Sequence, residues 1–237
     1  MKYTIVSVTD KREQSKSAIR AQLSEHEEIT EIEFFGPGHD LLAEAERRGL
    51  TFDSWTPRIG ELGVWLSQHN CWQWCADNDE PLLVVEDDAI ISDGFDEWYT
   101  TITENMTTPD ALALFVPHDQ FNDFEYDTVG WTLSGVWRGG SPNHTINHEF
   151  LARAYQGYSC VAILYWPSGA RKLLAAVQQQ GITTPVDCWL FEQGFPDHRR
   201  TPNSERVHIW APKPRFATGV FVDWFAPTNI HNTGPVC

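Results

Sequence analysis

The sequence predicts an α/β fold, and three of its features indicate this class. Two apolar runs, at residues 3–8 and 82–85, lack the polar alternation of a one-sided strand, which is typical of strands buried on both faces of a sheet. Between them, residues 58–75 carry apolar side chains three and four positions apart, as in a buried helix. A hydrophobic content of 41% is enough to form a sizeable core. Strands that alternate with helices in this way predict a layered α/β domain.

The remaining elements follow from apolar runs and helix boundary residues. Asp40 is predicted to cap a helix that ends before Gly49, since Asp is favoured at helix starts and Gly just after helix ends. Residues 117–147 are predicted to form long loops or a hairpin over the functional site, since long irregular insertions in compact domains are commonly functional. The other expected helices lie at 11–25, 94–106 and 167–180, and the other expected strands at 32–35, 111–116 and 158–165.

Length and composition predict one domain. The chain has 237 residues, of which 13% are aromatic and 21% are charged, and these fractions are typical of a folded α/β unit. No internal repeat or separable linker marks a boundary. We therefore expect a single domain over residues 1–237, with a proline-rich, irregular C-terminal wrap from about residue 198.

The net charge of −16 argues against a nucleic-acid acceptor, because a polyanion would be repelled unless basic residues cluster on one face. No run reaches the roughly 18 continuous apolar residues that span a bilayer, and no signal peptide precedes the first strand. Five scattered cysteines indicate reduced thiols rather than a disulfide framework. From these features we expect no membrane span and a cytoplasmic location.

Three consecutive acidic residues, Glu86, Asp87 and Asp88, follow the strand that begins at residue 82. Ligands of open α/β sheets bind beyond the carboxyl ends of strands, so we expect the chemistry there. The strand period of two places Glu86 and Asp88 on one side, where they can hold Mn²⁺ or Mg²⁺ together with a bound diphosphate. Asp87 then turns to a neighbouring amide or hydroxyl. The alternative is that the three acids begin a turn and cap the next helix.

Four sequence blocks surround this cluster: GELGVWLSQHNCW, PLLVVEDDA, YSCVAILYWPSGARKLLAA and PVDCWL. In this order and at these separations, over about residues 58–192, the chain resembles the lipooligosaccharide and procollagen galactosyltransferases, glycosyltransferase family 25. The resemblance implies a GT-A-like, Rossmann-type mixed sheet flanked by helices. It also implies sugar transfer from a nucleoside diphosphate donor, dependence on a divalent metal, and inversion at the anomeric carbon.

The resemblance also implies roles for particular residues. The acidic motif of the family falls on Glu86, Asp87 and Asp88, and a later aspartate falls on Asp187 in PVDCWL. Asp187 is the candidate general base, because inverting transfer needs a group that takes the proton of the acceptor hydroxyl. Asp87 is the second candidate catalytic residue. Capping of the following helix is an equally good explanation of Asp187.

Donor contacts are expected at two places besides the acidic motif. The polar residues after the first strand lie where a GT-A fold holds the base and ribose, and two residues match the first family block. Helix capping and packing explain the two residues of the first block, Glu61 and Ser67, almost as well. The candidate donor-binding residues are Thr9, Asp10, Arg12, Glu61, Ser67 and Glu86.

Histidines and tryptophans provide further candidates. In GT-A enzymes a late histidine sometimes completes the metal shell. His208 and His231 are the two histidines late in this chain, and His231 is the candidate ligand beside Glu86 and Asp88. The family has its histidine directly after the serine of the first block, whereas here Gln68 intervenes, so the role of that histidine does not transfer to His69. Because His69 lies beside Trp65 and Trp72, we expect it to be a hydrogen-bonded core residue. Four tryptophans in loop-like contexts either stack on sugar rings or fill the core: Trp131, Trp137, Trp210 and Trp224.

Together with the resemblance, these features predict a metal-dependent, inverting transferase that acts on a hydroxyl of a glycan, protein or other acceptor. Galactose or glucose as the sugar and UDP as its carrier are what the resemblance implies. Two alternatives remain open. One is a catalytically degenerate carbohydrate-binding module, against which the three retained acids argue. The other is a metal-dependent phosphodiesterase or nucleotidyltransferase, which should carry a second set of ligands for a two-metal site. No such set is evident in the sequence.

Overall fold

The computed structural model describes residues 1–7, 12–36, 38–52, 55–91, 95–104, 110–114, 151–153, 160–193, 207–212 and 220–222. The helices in these ranges are α1 (Glu13–Gln22), α2 (Leu41–Arg47), α3 (Ile59–Asn78), α4 (Phe95–Glu104), α5 (Pro167–Gln180) and α6 (Val186–Glu192). The strands are β1 (Lys2–Val6), β2 (Glu27–Glu28), β3 (Leu82–Glu86), β4 (Ala89–Ile91), β5 (Ala111–Ala113), β6 (Leu151–Arg153), β7 (Ala162–Tyr165), β8 (Ile209–Pro212) and β9 (Val220–Val222).

Seven of these strands form one mixed sheet in the order β2-β1-β3-β7-β5-β8-β6. β1 runs parallel to β2 and β3, and β5 runs parallel to β8. β7 lies between β3 and β5 and is antiparallel to both. β4 and β9 form a separate antiparallel pair. The predicted α/β class, with a mixed sheet flanked by helices, is confirmed.

Alternate residues of β3 explain why its sequence shows no polar alternation. Leu82 and Val84 pack into a cluster with residues of α3, α5 and α6. Leu83 and Val85 pack into a second cluster on the other face, with residues of α1 and α4. All four side chains are fully buried. The sheet therefore lies between two helical layers, and its core extends over both faces.

The predicted helix starts agree with the structure. Asp40 caps α2, where its side chain accepts a hydrogen bond from Ala43 N at 3.1 Å. α3 begins after Arg58, whose backbone N–H donates to Glu61 Oε2 at 2.8 Å. His69 lies in the buried face of α3 as expected, and burial together with the nearby Arg48 guanidinium lowers the pKa of His69 to about 4.

The strand predicted at residues 32–35 is wrong, because the second strand of the sheet, β2, lies earlier in the chain. Side chains of α3 bond the backbone of the predicted segment instead. Phe35 N donates to Ser67 Oγ at 3.0 Å, and Asn70 Nδ2 donates to Glu33 O at 2.7 Å. Since these side chains bond backbone groups that a partner strand would otherwise bond, Ile32 and Phe35 stay buried without pairing to a neighbouring strand.

The expected irregular C-terminal wrap is wrong for two segments, β8 and β9. β8 enters the main sheet between β5 and β6, and its only proline, Pro212, is the last residue of the strand, where proline is tolerated. Trp210, predicted in a loop, lies in β8 and is 2% exposed. It packs in the cluster beside α1 and α4, so it belongs to the core rather than to a sugar-stacking surface.

Several predictions concern residues outside the described ranges. These are the long loops at 117–147, the donor contacts Thr9 and Asp10, the metal ligand His231, and Trp131, Trp137 and Trp224. In the described part of the chain, no helix is both long and apolar enough to cross a membrane.

Candidate active site

The acidic cluster lies at the carboxyl edge of the sheet, where the parallel strands β1 and β3 end side by side. Val6 of β1 is in register with Glu86, the last residue of β3. The backbone N–H of Glu86 donates to Val161 O at 2.8 Å, which ties the same point to the start of β7. Asp87 and Asp88 form the turn into β4, so the strand period of two does not extend to them.

Asp87 uses both of its carboxylate oxygens within the protein. Oδ2 accepts a hydrogen bond from Ser7 Oγ at 2.7 Å, and Oδ1 accepts one from Arg12 Nη1 at 2.7 Å. The residue is 8% exposed. The hydroxyl that Asp87 was predicted to contact is therefore that of Ser7. Asp87 also forms a largely buried ion pair with Arg12.

Asp88 contacts the same arginine but keeps one oxygen unbonded. Its Oδ2 lies 3.1 Å from Arg12 Nη1. Its Oδ1 is buried and receives no hydrogen bond within the described part of the protein. Burial raises the pKa of Asp88, while the Arg12 guanidinium acts in the opposite direction. An unbonded buried carboxylate oxygen is costly, and a cation at this position would remove that cost.

Glu86 is strongly affected by its surroundings. Desolvation by the surrounding protein, followed by the negative charges of Asp88, Asp187 and Asp87, raises the pKa of Glu86 to about 8. Arg12 offsets only part of this effect. The edge therefore carries an excess of negative charge that a bound cation would neutralise.

Asp187, in a distant part of the chain, lies near enough to Glu86 for its negative charge to raise the pKa of Glu86. It is the second residue of α6, and its Oδ1 accepts a hydrogen bond from Cys188 N at 2.8 Å. Pro185, not Asp187, is the N-cap of this helix. An acid in the first turn still stabilises a helix electrostatically. Asp187 therefore stabilises α6 in addition to lying near Glu86.

The first family block contributes structure at two positions. Glu61 caps α3 through Arg58 N. Ser67 is fully buried, and its hydroxyl donates to Gly63 O at 2.7 Å and accepts from Phe35 N. Because both functions of the hydroxyl are used inside the core, Ser67 is not accessible to a donor in this structure.

His208 is placed at the wrong edge of the sheet for a metal ligand beside Glu86. Its backbone N–H donates to Asp110 Oδ2 at 2.8 Å, just before β5. Ala111, the residue after Asp110, pairs with Tyr165, and so does Leu82, the first residue of β3. His208 therefore lies at the end of the sheet where β3 starts. Four strand residues, or roughly 13 Å at the usual rise, separate it from Glu86. The suggestion that His208 completes the shell is thus wrong.

A comparison with known protein families finds a match that spans the acidic turn. The model of glycosyltransferase family 25, described as an LPS biosynthesis protein, matches residues 51–190. This match covers more than half of the chain and includes α3, the acidic turn and Asp187. The chain belongs to glycosyltransferase family 25. It is accordingly a glycosyltransferase, with a sugar donor and an acceptor as its partners. No curated protein matches the chain.

Sequence reasoning missed one residue of this glycosyltransferase site, Ser7. The only signal in the sequence is that Ser7 directly follows the apolar run of β1. Its bond to Asp87 depends on the parallel register of β1 and β3, which the composition of the strands does not determine. Arg12 was predicted as a donor contact, whereas here its guanidinium contacts Asp87 and Asp88.

The donor atoms of the acidic turn fit a hard divalent cation bound together with a diphosphate. The described ranges of this glycosyltransferase contain no group of three or more His, Cys, Asp or Glu placed to hold an ion. They do present Glu86 and the unbonded Asp88 Oδ1 at one edge. Ions such as Mg²⁺ commonly bind one or two carboxylates and complete their shell with phosphate oxygens and water.

Proposed function

We propose that this chain is an inverting, metal-dependent hexosyltransferase of GT-A type that uses a nucleoside diphosphate sugar. The observation that carries the proposal is the acidic turn at the carboxyl edge of the sheet, where burial and then the charges of Asp88, Asp187 and Asp87 raise the pKa of Glu86 to about 8. UDP as the carrier, and galactose or glucose as the sugar, follow from the family resemblance.

Glu86 and Asp88 would hold the cation, with Mn²⁺ or Mg²⁺ as the expected ion. Oxygen ligands suit both ions, and Asp88 Oδ1 is the carboxylate oxygen that the protein leaves without a hydrogen bond. The cation supplies positive charge that neutralises the leaving nucleoside diphosphate. Arg12, which contacts both Asp87 and Asp88, orients the carboxylates on the protein side.

Asp187 is the proposed general base. In a single displacement, the acceptor oxygen forms a bond to the anomeric carbon as the bond from that carbon to the diphosphate oxygen breaks. The proton of the acceptor hydroxyl passes to the Asp187 carboxylate, and the bonding pair leaves with the diphosphate. A positioned carboxylate contributes typically about 10² to 10⁴-fold to such a step. Its place beside the acidic turn, on a different element, suits an acceptor that approaches opposite the donor phosphates.

Thermal shift measurements with UDP-, GDP-, CMP- and dTDP-sugars, with and without Mn²⁺, test the proposal, because a ligand that binds the native state raises Tm. We expect a Mn²⁺-dependent rise with UDP-sugars. A rise that does not depend on Mn²⁺ would contradict the metal assignment. No rise with any nucleotide-sugar, in a protein that still binds free glycans, would favour the degenerate carbohydrate-binding module.

A further inference from the structure

Two side chains that flank the β1–α1 connection bind the same carboxylate. Ser7 directly follows β1, and Arg12 directly precedes α1. Both bond Asp87, at 2.7 Å each and through different oxygens. Asp87 therefore joins the end of β1, the start of α1 and the turn after β3 at one point, in addition to the parallel pairing of the two strands.

The same arginine determines how Asp88 is presented. Arg12 Nη1 contacts Asp87 Oδ1 and, at 3.1 Å, Asp88 Oδ2. The guanidinium is rigid and planar, so two contacts from one nitrogen restrict both carboxylates at once. Only 11% of the Arg12 side chain is exposed, which keeps solvent from competing for it. The outcome is an Asp88 with one oxygen held and the other, Oδ1, unbonded.

We propose that Asp87 is a positioning residue rather than a catalytic one, and that it acts with Ser7 and Arg12 to hold the acidic turn so that Glu86 and Asp88 Oδ1 face the ligand. Each oxygen of Asp87 already bonds a protein donor and Arg12 pairs with its charge, so Asp87 is less suited than Asp88 to bind the cation and less suited than Asp187 to take the acceptor proton. The part of this inference that concerns the ligand rests on the proposed function. The part that concerns the clamp of Ser7, Arg12 and Asp87 stands on geometry alone.

Asp87→Asn and Arg12→Met test the clamp by amide hydrogen exchange, a measurement that needs no ligand. Each variant should speed exchange in two segments, the turn and β4 at residues 86–91 and the first turn of α1, while exchange in α5 stays unchanged. Arg20→Met is the control for residues 86–91 only, since Arg20 lies in the same helix but pairs with Glu28 and with Glu13 of the first turn of α1, not with the acidic turn. Unchanged exchange at residues 86–91 in both variants would overturn the proposal.

Mn²⁺ titrations and steady-state kinetics on the same variants test the ligand-facing role. We expect Asp87→Asn to weaken Mn²⁺ binding by about ten- to a hundredfold, the usual effect of losing a residue that orients a ligand. The loss of Mn²⁺ affinity in the Asp87→Asn/Arg12→Met double variant should be smaller than the sum of the two single losses, because the two residues share the Arg12–Asp87 contact. Arg12→Lys, which keeps the charge, should recover part of the loss.

Three results would overturn this role. Tighter Mn²⁺ binding in Arg12→Met would make Arg12 a competitor of the cation. A loss of kcat in Asp87→Asn with unchanged Mn²⁺ affinity and unchanged exchange would make Asp87 catalytic. Additive losses in the double variant would separate the two residues. If the wild-type protein binds no divalent cation, the proposed function fails on its own, and the exchange measurement alone decides whether the clamp exists.

Discussion

Asp110 and Lys172 form a buried ion pair at the edge of the sheet opposite the acidic turn. Asp110 Oδ2 lies 2.6 Å from Lys172 Nζ, and the Asp110 side chain is 3% exposed whereas that of Lys172 is 27% exposed. The same oxygen accepts the backbone N–H of His208. One carboxylate thus connects α5, β5 and the approach to β8, which makes this edge a structural anchor.

Replacing Lys172 by Met should lower the free energy of unfolding by about 3 kcal/mol, because it leaves the Asp110 charge buried without its cation. Urea denaturation followed by circular dichroism measures the change. Arg171→Met is the matched control on the next residue, since its ion pair with Asp79 is largely exposed and should be worth less than about 1 kcal/mol. Equal losses in the two variants would show that Asp110 does not depend on Lys172.

Asp88→Asn should abolish the rise in Tm that Mn²⁺ produces with a UDP-sugar, while the protein remains folded. The amide oxygen is a weaker ligand than a carboxylate for a hard cation. Differential scanning fluorimetry with and without Mn²⁺ provides the measurement. Asp77→Asn serves as the control, because Asp77 is an exposed acid of α3 bonded to Gln73. An Asp88→Asn protein with wild-type Mn²⁺ affinity would remove Asp88 from the cation site.

Asp187→Asn should lower kcat by about 10² to 10⁴-fold if Asp187 is the general base, with donor affinity unchanged. Steady-state kinetics combined with calorimetric titration of the donor separate the two quantities. Cys188→Ala controls for disturbance of the first turn of α6, where Asp187 bonds the Cys188 backbone. Parallel losses of turnover and donor affinity would instead indicate a structural role for Asp187.

Glu86 should make the protein less stable as the pH rises from about 5 to 8 in the absence of divalent cations. The pKa of Glu86 is raised from 4.5 to about 8 in the folded state. Between these values the folded protein keeps a proton that the unfolded chain has released, so stability falls with pH. Tm measured across this range should fall less steeply in Glu86→Gln. Identical slopes for the two proteins would contradict the raised pKa.

The layered fold was predictable because burial on both faces leaves a direct trace in the sequence. The apolar run of β3 and the helical spacing of α3 do not depend on which partner strand or helix they meet. Asp40 and Glu61 mark helix starts through bonds to residues three positions away. Signals of this kind are local, so the sequence alone carries them.

The failures concern contacts between distant parts of the chain. The segment at residues 32–35 buries Ile32 and Phe35 as a strand would, yet Ser67 and Asn70 bond its backbone from α3. His208 follows the site in chain order, but the direction of β8 places it at the other edge. Ser7 contacts Asp87 only because of the register between β1 and β3. Pairing order and register are properties of the whole sheet, and no local pattern encodes them.

The placement of Asp110 and Glu86 at opposite ends of the strands bears on how this enzyme could be engineered. Substitutions that are more than about 10 Å apart and share no partners have nearly additive effects. Heat tolerance could therefore be selected around Lys172 and Asp110 while residues around the acidic turn are varied independently. Libraries built at the two ends could be screened separately and then combined in one protein.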